Sequence, residues 1–211
     1  MVATAQRYIT SAEELRGVIP APKADSLVFQ KQIPRLDAHC RAFIEKSPFV
    51  LLATASADGR CDVTPRGDGP GFVQIADDTT LYLPDRPGNR RLDSMLNIVD
   101  NPHAGLLFLV PGVDETLRVN GVARLTTAPD LLASMAVKGK KPLVAIELQV
   151  EEVFFHCARA FRRAKLWEPD TWIERSELPS LGQIIVDQIK GLEVTAADLD
   201  CSLAESNRNL Y

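Results

Sequence analysis

Histidine, cysteine and aromatic residues are scarce in this chain of 211 residues, and long apolar runs are missing. The four cysteines (Cys40, Cys61, Cys157, Cys201) are widely scattered with no C-x-x-C pair. That spacing excludes a disulfide framework or a metal knuckle, and the expectation is four reduced thiols and no metal. The only histidines are His39, His103 and His156. His156 adjoins Cys157, but neighbours on a strand point to opposite faces, so the two do not make a nucleophile–base pair. No stretch approaches the roughly 18 apolar residues that span a bilayer. Met1-Val2-Ala3-Thr4-Ala5-Gln6-Arg7 is too polar for a signal peptide, so a soluble, cytoplasmic protein is expected. A broad cationic surface is also lacking. With a formal net charge of -4 and a pI near 5.5, a general nucleic-acid binder is excluded.

What is present suits one folded domain with terminal extensions: 45% hydrophobic and 25% charged residues, with no internal repeat or low-complexity segment. Residues 1–45 read as a helical arm. Thr10 and Ser11 each precede a glutamate by three, a capping-box pattern that starts a short helix. Ser26–Phe29 then reads as extended, and Leu36, Cys40, Phe43 and Ile44 recur at helical spacing. From Phe49 the pattern turns to β. Phe49–Ala55 and Arg60–Thr64 flank an Asp58-Gly59 turn, and Pro65–Gly71, with three glycines and two prolines, reads as an irregular loop with Arg66 at its entrance. A second hairpin, 72–75 and 80–83, follows.

Leu92, Met95, Leu96 and Val99 fall at i, i+3, i+4 and i+7, which predicts a helix packing that face on a sheet. Ala104–Val110 reads as a strand buried on both sides. In Thr116–Leu125, alternation puts Leu117, Val119, Ala123 and Leu125 on the core face and Arg118, Asn120 and Arg124 on the other, with a bend or bulge at Gly121. A short helix over Asp130–Ala136, a basic turn Lys138-Gly139-Lys140-Lys141 and a strand from Leu143 to Phe155 come next. Cys157–Trp167 reads as a cationic helix, and residues 169–211 as an extension of two amphipathic helices packed on the central domain. Six or more strands in hairpins with inserted helices indicate an antiparallel α+β barrel.

One local feature runs against the overall charge. Pro84-Asp85-Arg86-Pro87-Gly88-Asn89-Arg90-Arg91 carries three arginines within six residues, between a strand and a helix start. Backbone N–H groups at a helix's positive end, flanked by guanidinium groups, suit a phosphate. Cations at that end oppose the macrodipole unless an anion sits between them. Arg66 lies on a neighbouring strand end and could meet Arg90 and Arg91 there.

The order of these signals, above all Tyr82-Leu83-Pro84-Asp85-Arg86-Pro87-Gly88-Asn89-Arg90-Arg91 followed by Asn97, Asn101-Pro102 and Leu117-Arg118-Val119-Asn120-Gly121, resembles the FMN-binding split β-barrel family related to pyridoxamine 5′-phosphate oxidase. The likeness covers roughly residues 40 to 168 and implies a split-barrel domain over 46–168 and a homodimer with FMN at the subunit interface. By position, it implies that Arg66, Asn89, Arg90 and Arg91 hold the flavin phosphate and that Arg118 lies near the pyrimidine edge of the ring. It also implies that Arg163 and Trp167 reach the flavin of the opposite subunit. The sequence departs from the oxidase itself in having no carboxy-terminal Arg-x-His-x-Arg element, so pyridoxamine phosphate is not implied as substrate.

The resemblance therefore implies an FMN-dependent oxidoreductase acting on a small molecule, with NADH or NADPH, or oxygen, as the other party. No residue stands out as a general acid or base, in keeping with a cofactor that carries the chemistry. Other readings stay open: the same fold holding deazaflavin F420 or haem, or a non-catalytic module binding a phosphorylated ligand. Arg118 could instead pair with Glu115 or Glu147, and Arg162, Arg163 and Lys165 could form a solvated helix face.

Overall fold

Among the described residues seven strands form one antiparallel sheet in the order β2-β1-β5-β6-β7-β4-β3. They are β1 (Phe49–Ala55), β2 (Cys61–Gly67), β3 (Gln74–Ile75), β4 (Thr80–Pro84), β5 (His103–Leu109), β6 (Thr116–Thr126) and β7 (Ala145–His156). The computed structural model describes residues 7–211, so all but the last residue of the stretch read against a signal peptide lies outside the described residues. No helix among the described residues is long and apolar enough to cross a membrane.

Backbone hydrogen bonds leave the sheet open, with β2 and β3 as its edges. Side chains nevertheless join its two ends: Arg66 on β2 donates to Asp85 just past β4 at 2.6 Å. The sheet therefore curls into a split barrel rather than lying flat, as right-handed twist favours. Its interior is filled by alternating positions of neighbouring strands, with Val50, Leu52, Phe108, Leu117, Val119 and Val153 all 0–1% exposed. Replacing Phe108 by alanine should cost about 3–5 kcal/mol in denaturant unfolding, since the ring fills the centre and its neighbours cannot collapse into the gap.

Among the described residues eight α-helices accompany this sheet: α1 (Ala12–Val18), α2 (Leu27–Gln30), α3 (Ala38–Lys46), α4 (Asp93–Asp100), α5 (Pro129–Ser134), α6 (Arg159–Ala164), α7 (Leu181–Gln188) and α8 (Ala196–Arg208). The Ser11 hydroxyl caps α1 by accepting from the Glu14 amide, while the Glu14 carboxylate accepts from the Thr10 amide. Asp37 caps α3, which buries Cys40 and Ile44 against the barrel. Burial raises the Cys40 thiol to about 11, and all four cysteines are free thiols.

Several local expectations are corrected. Ser26–Phe29 is not extended, because the Ser26 hydroxyl caps a single helical turn. Pro65, Arg66 and Gly67 belong to β2 rather than to the loop. Proline fits there because β2 is an edge strand, and its missing N–H costs no ladder bond. β5 is buried on one face only, at Ala104, Leu106 and Phe108. The cationic helix spans only Arg159–Ala164, since Lys165 adopts a left-handed φ of 51° that ends it. In α4 the buried residues are Ser94, Met95 and Ile98, whereas Leu92, Leu96 and Val99 are 47%, 58% and 69% exposed. The sequence stripe thus identified a helix, but of its four residues only Met95 faces the core.

The bulge expected at Gly121 is present as a register shift between Asn120 and Gly121. Asn120 faces Glu152 and Gly121 faces Val150, so the extra residue, Glu151, sits on β7.

Candidate functional site

Alternation along β2 turns Asp62, Thr64 and Arg66 towards one wall of a cleft of about 1100 Å³. The β4–α4 loop forms the second wall and the turn before β7 the third. Arg66, Asn89, Arg90 and Arg91 all line it, so four of the seven residues singled out in the sequence are brought together. The lining holds six cations, adding Arg86, Lys140 and Lys141, against the carboxylates of Asp62, Asp85 and Asp93. In a chain of net charge -4 this concentration is local and directional.

Loop geometry follows from an unusual backbone. Arg90 and Leu92 both have left-handed φ, 59° and 62°, a conformation that side-chain-bearing residues adopt at a cost of about 1 kcal/mol or more each. The Asn89 side-chain oxygen accepts the Arg91 amide at 3.0 Å and tightens the turn. Leu92 starts α4 without a side-chain cap, which leaves first-turn amides to find partners outside the helix. Arg91 Nε bonds Asp93 at 2.7 Å, while Arg90 and Lys141 have no ion-pair partner among the described residues. Arg66 is spent on Asp85 through Nη1, yet its buried Nε has no hydrogen-bond acceptor. An unsatisfied buried donor beside free cations is an arrangement that an anion would complete.

A second bridge braces the cleft from behind. Arg86 donates through Nε to Asp68 at 2.6 Å and through Nη1 to the Met135 carbonyl at 2.9 Å, with the Arg86 and Asp68 side chains 16% and 5% exposed. Burial alone would raise the Asp68 carboxyl. Hydrogen bonds from Tyr211, the Gly69 amide and Arg86 outweigh it, and the net shift is downward. A group lowered in the fold stabilises fully above its unfolded value, near pH 4, and loses that contribution as pH falls through the folded one. The near-ultraviolet tyrosine dichroism of this corner should therefore collapse in acid below about pH 4, whereas an Asp68→Asn variant, which has no carboxyl to protonate there, should show a weakened signal without that acid step.

The other three sequence-selected residues lie elsewhere. Arg118 sits on β6 over the Phe154 ring at 4.1 Å and pairs with Glu152 at 2.7 Å, rather than with Glu115 or Glu147. Its Nε is buried without a partner, and Asn120 shares the same Glu152 oxygen at 3.0 Å. Burial, followed by the charges of Arg118 and Lys31, holds nearby His156 below its ordinary pKa. Trp167 donates to the Val113 carbonyl at 3.0 Å and packs on Phe161. Arg163 is exposed on α6 with no ion pair among the described residues. None of the three lines the cleft of its own chain. Among the described residues no three His, Cys, Asp or Glu side chains converge as a metal site.

The family model for pyridoxamine 5′-phosphate oxidase matches residues 36–157, more than half of the chain and the whole of the sheet. The chain belongs to the pyridoxamine 5′-phosphate oxidase family. No curated protein matches it in sequence. Among solved structures, HupZ of Group A Streptococcus is similar at 19% identity, covering 57% of this chain and 93% of that one, with a TM-score of 0.46. A Clostridium acetobutylicum protein related to general stress protein 26 is similar at 13% identity, 56% and 85% coverage and a TM-score of 0.43. An FMN-binding protein of Syntrophomonas wolfei is similar at 12% identity, 56% and 88% coverage and a TM-score of 0.41.

Against this family frame, sequence reasoning missed four contributors to the cleft. Lys140 and Lys141 were visible as a basic turn but lie 50 residues from the loop they face. Asp62 accepts the buried Ser94 hydroxyl at 2.6 Å, a contact across 32 residues that no local pattern announces. Tyr211 reaches the cleft after α8 and had no sequence signal at all.

Proposed function

We propose that the protein is an FMN-binding oxidoreductase that works as a homodimer in the cytoplasm, with flavin held in the cleft at the subunit interface. The observation that carries this reading is the convergence of Arg66, Asn89, Arg90 and Arg91 on one cleft that is also lined by exposed apolar side chains. Arg90 and Arg91, the uncapped start of α4 and the orphaned Nε of Arg66 would take the phosphate. Val63, Leu92, Leu96, Val99 and Leu143, each 47–83% exposed, offer the apolar surface that a planar ring system or a second subunit would cover.

Bound flavin supplies hydride and electron transfer. The chain's own part is to bind and orient. Asp62, fixed by Ser94, presents a carboxylate that can accept from a hydroxyl-bearing linker, and the crowded cations hold the anionic end. Arg118, Arg163 and Trp167 lie off their own cleft, so any role at the flavin falls to the cleft of the partner subunit. There the Arg118 guanidinium, fixed by Glu152 and Phe154, would favour the negative charge of a reduced ring.

The test is direct. Protein purified without added ligand should be yellow, show a flavin spectrum and release FMN on denaturation. A colourless protein that takes up no FMN overturns the reading, and a Soret band would replace flavin by haem. Bleaching of the spectrum under NADH or NADPH would support a reductase. Replacing Leu96 and Val99 together by glutamate should convert the dimer to monomer in sedimentation, because both carboxylates would enter the covered apolar surface.

A further inference from the structure

Beyond the arginine loop, the cleft has a corner that the phosphate reading does not use. Tyr211 arrives there after α8, 143 positions from its partner Asp68. Its phenol donates to Asp68 Oδ1 at 2.5 Å. The other oxygen of that carboxylate takes Arg86, so one side chain, 5% exposed, joins the tail to both cleft loops. Asp68 belongs to the glycine-rich loop after β2, and Arg86 to the loop after β4. Around the tyrosine ring stand the Arg86 guanidinium at 5.8 Å and the Lys138 ammonium at 5.6 Å, and Lys140 donates to its main-chain oxygen at 2.5 Å.

This environment differs from that of a tail resting on a surface. Ser180 and Thr195 cap α7 and α8, and the two helices pack mainly on one another, with Gly182 against Ala196 and Asp200. Tyr211 itself lines the cleft. The residues that meet it come from three separate segments, and two of those, the β4–α4 loop and the turn before β7, also carry the free cations Arg90 and Lys141. Fixing the Arg86 end of the first loop therefore constrains where Arg90 and Arg91 can reach.

We propose that Tyr211 is a positioning residue of the cleft: through Asp68 and Arg86 it clamps the glycine-rich loop to the arginine loop and holds the latter in its anion-binding shape. The ligand side of this proposal rests on the flavin reading above. The clamp itself does not, and it can be measured in the protein without ligand. Removing only the phenol oxygen leaves Asp68 Oδ1 with the Gly69 amide alone, cuts the tail from the bridge to Arg86 and lets the arginine loop sample other conformations. Affinity then falls by the fraction of time the loop spends out of shape.

The experiment compares wild type with Tyr211→Phe and Tyr211→Ala in the full chain, by hydrogen exchange on peptides spanning 66–71 and 84–92 and by fluorescence titration with FMN. Exchange in both loops should quicken at least about 5-fold in Tyr211→Phe, with β5 and β6 unchanged, and FMN should bind roughly 5- to 10-fold more weakly. Tyr211→Ala should exceed both effects, because it also removes the ring between Arg86 and Lys138. Equal acceleration in loops and core would mean simple destabilisation and overturn the clamp. Unchanged loop exchange, or loosened loops with unaltered FMN affinity, would overturn it as well. Loosened loops in a protein that binds no FMN even as wild type would uphold the clamp and remove the flavin reading alone.

Discussion

Replacing Arg90 and Arg91 together by alanine should weaken FMN binding by about 100-fold or more while leaving the melting temperature unchanged. Each charge-assisted contact to a phosphate is worth about 1.5–3 kcal/mol, and two of them multiply. Both side chains are exposed and neither fills the core, so folding has little to lose. The two arginines should not contribute equally. Arg91 already bonds Asp93 at 2.7 Å and must share its guanidinium, whereas Arg90 has no ion-pair partner among the described residues. Arg90→Ala alone should therefore carry the larger part of the loss. Arg90→Lys keeps a cation on the same left-handed backbone and should recover some of it. Affinity of the wild-type protein should also fall with rising salt, since the cations stand near the surface. Fluorescence titration reads all three variants, and a double variant that binds FMN as tightly as wild type would end the assignment of this loop to phosphate.

A larger effect on stability is expected from Gly121→Ala. A Cβ built on Gly121 would stand 1.9 Å from the Gln149 carbonyl oxygen and 2.9 Å from its carbon, both backbone atoms of β7. Nothing flexible is available to move, and Gly121 lies at the register shift where β6 and β7 depart from regular pairing. These are the two longest strands and they form the middle of the sheet, so a displacement there spreads through the core. The variant should lose about 3 kcal/mol or more in denaturant unfolding, with much of the protein insoluble on expression. A loss below about 1 kcal/mol would show that the bulge relaxes more freely than its backbone contacts allow.

Much of the fold was legible because alternation and helical spacing are local. β1, β4 and β6 were read within a residue or two, and the Gly121 irregularity was recognised from a lone glycine in a long strand. The failures were failures of context. Apolar residues at Leu92, Met95, Leu96 and Val99 mark one stripe of a helix, but a lone sequence cannot say that only Met95 of these turns inward, beside Ser94 and Ile98. Pro65 looked like a strand breaker because edge position is a property of the sheet and not of the strand. Cys157–Trp167 looked continuously helical, yet Lys165 turned it at a left-handed residue, which helical spacing does not reveal.

The candidate site divides along the same line. Its cationic loop is contiguous in the chain, and charge contrast against a net of -4 was enough to find Arg90 and Arg91. The sequence by itself determined the strand pattern, the family and the cationic turn between β4 and α4, because each is written in neighbouring residues. Tertiary structure alone decided that Arg66 reaches that turn by pairing with Asp85, that Lys140 and Lys141 face it, that Tyr211 closes one corner, and that Arg118 and Trp167 stand away from it. The physical reason is the curl of the sheet. An edge strand, a loop after the strand next to the opposite edge and a tail after two helices become neighbours only when seven strands twist far enough for side chains to bridge a gap that no backbone hydrogen bond closes.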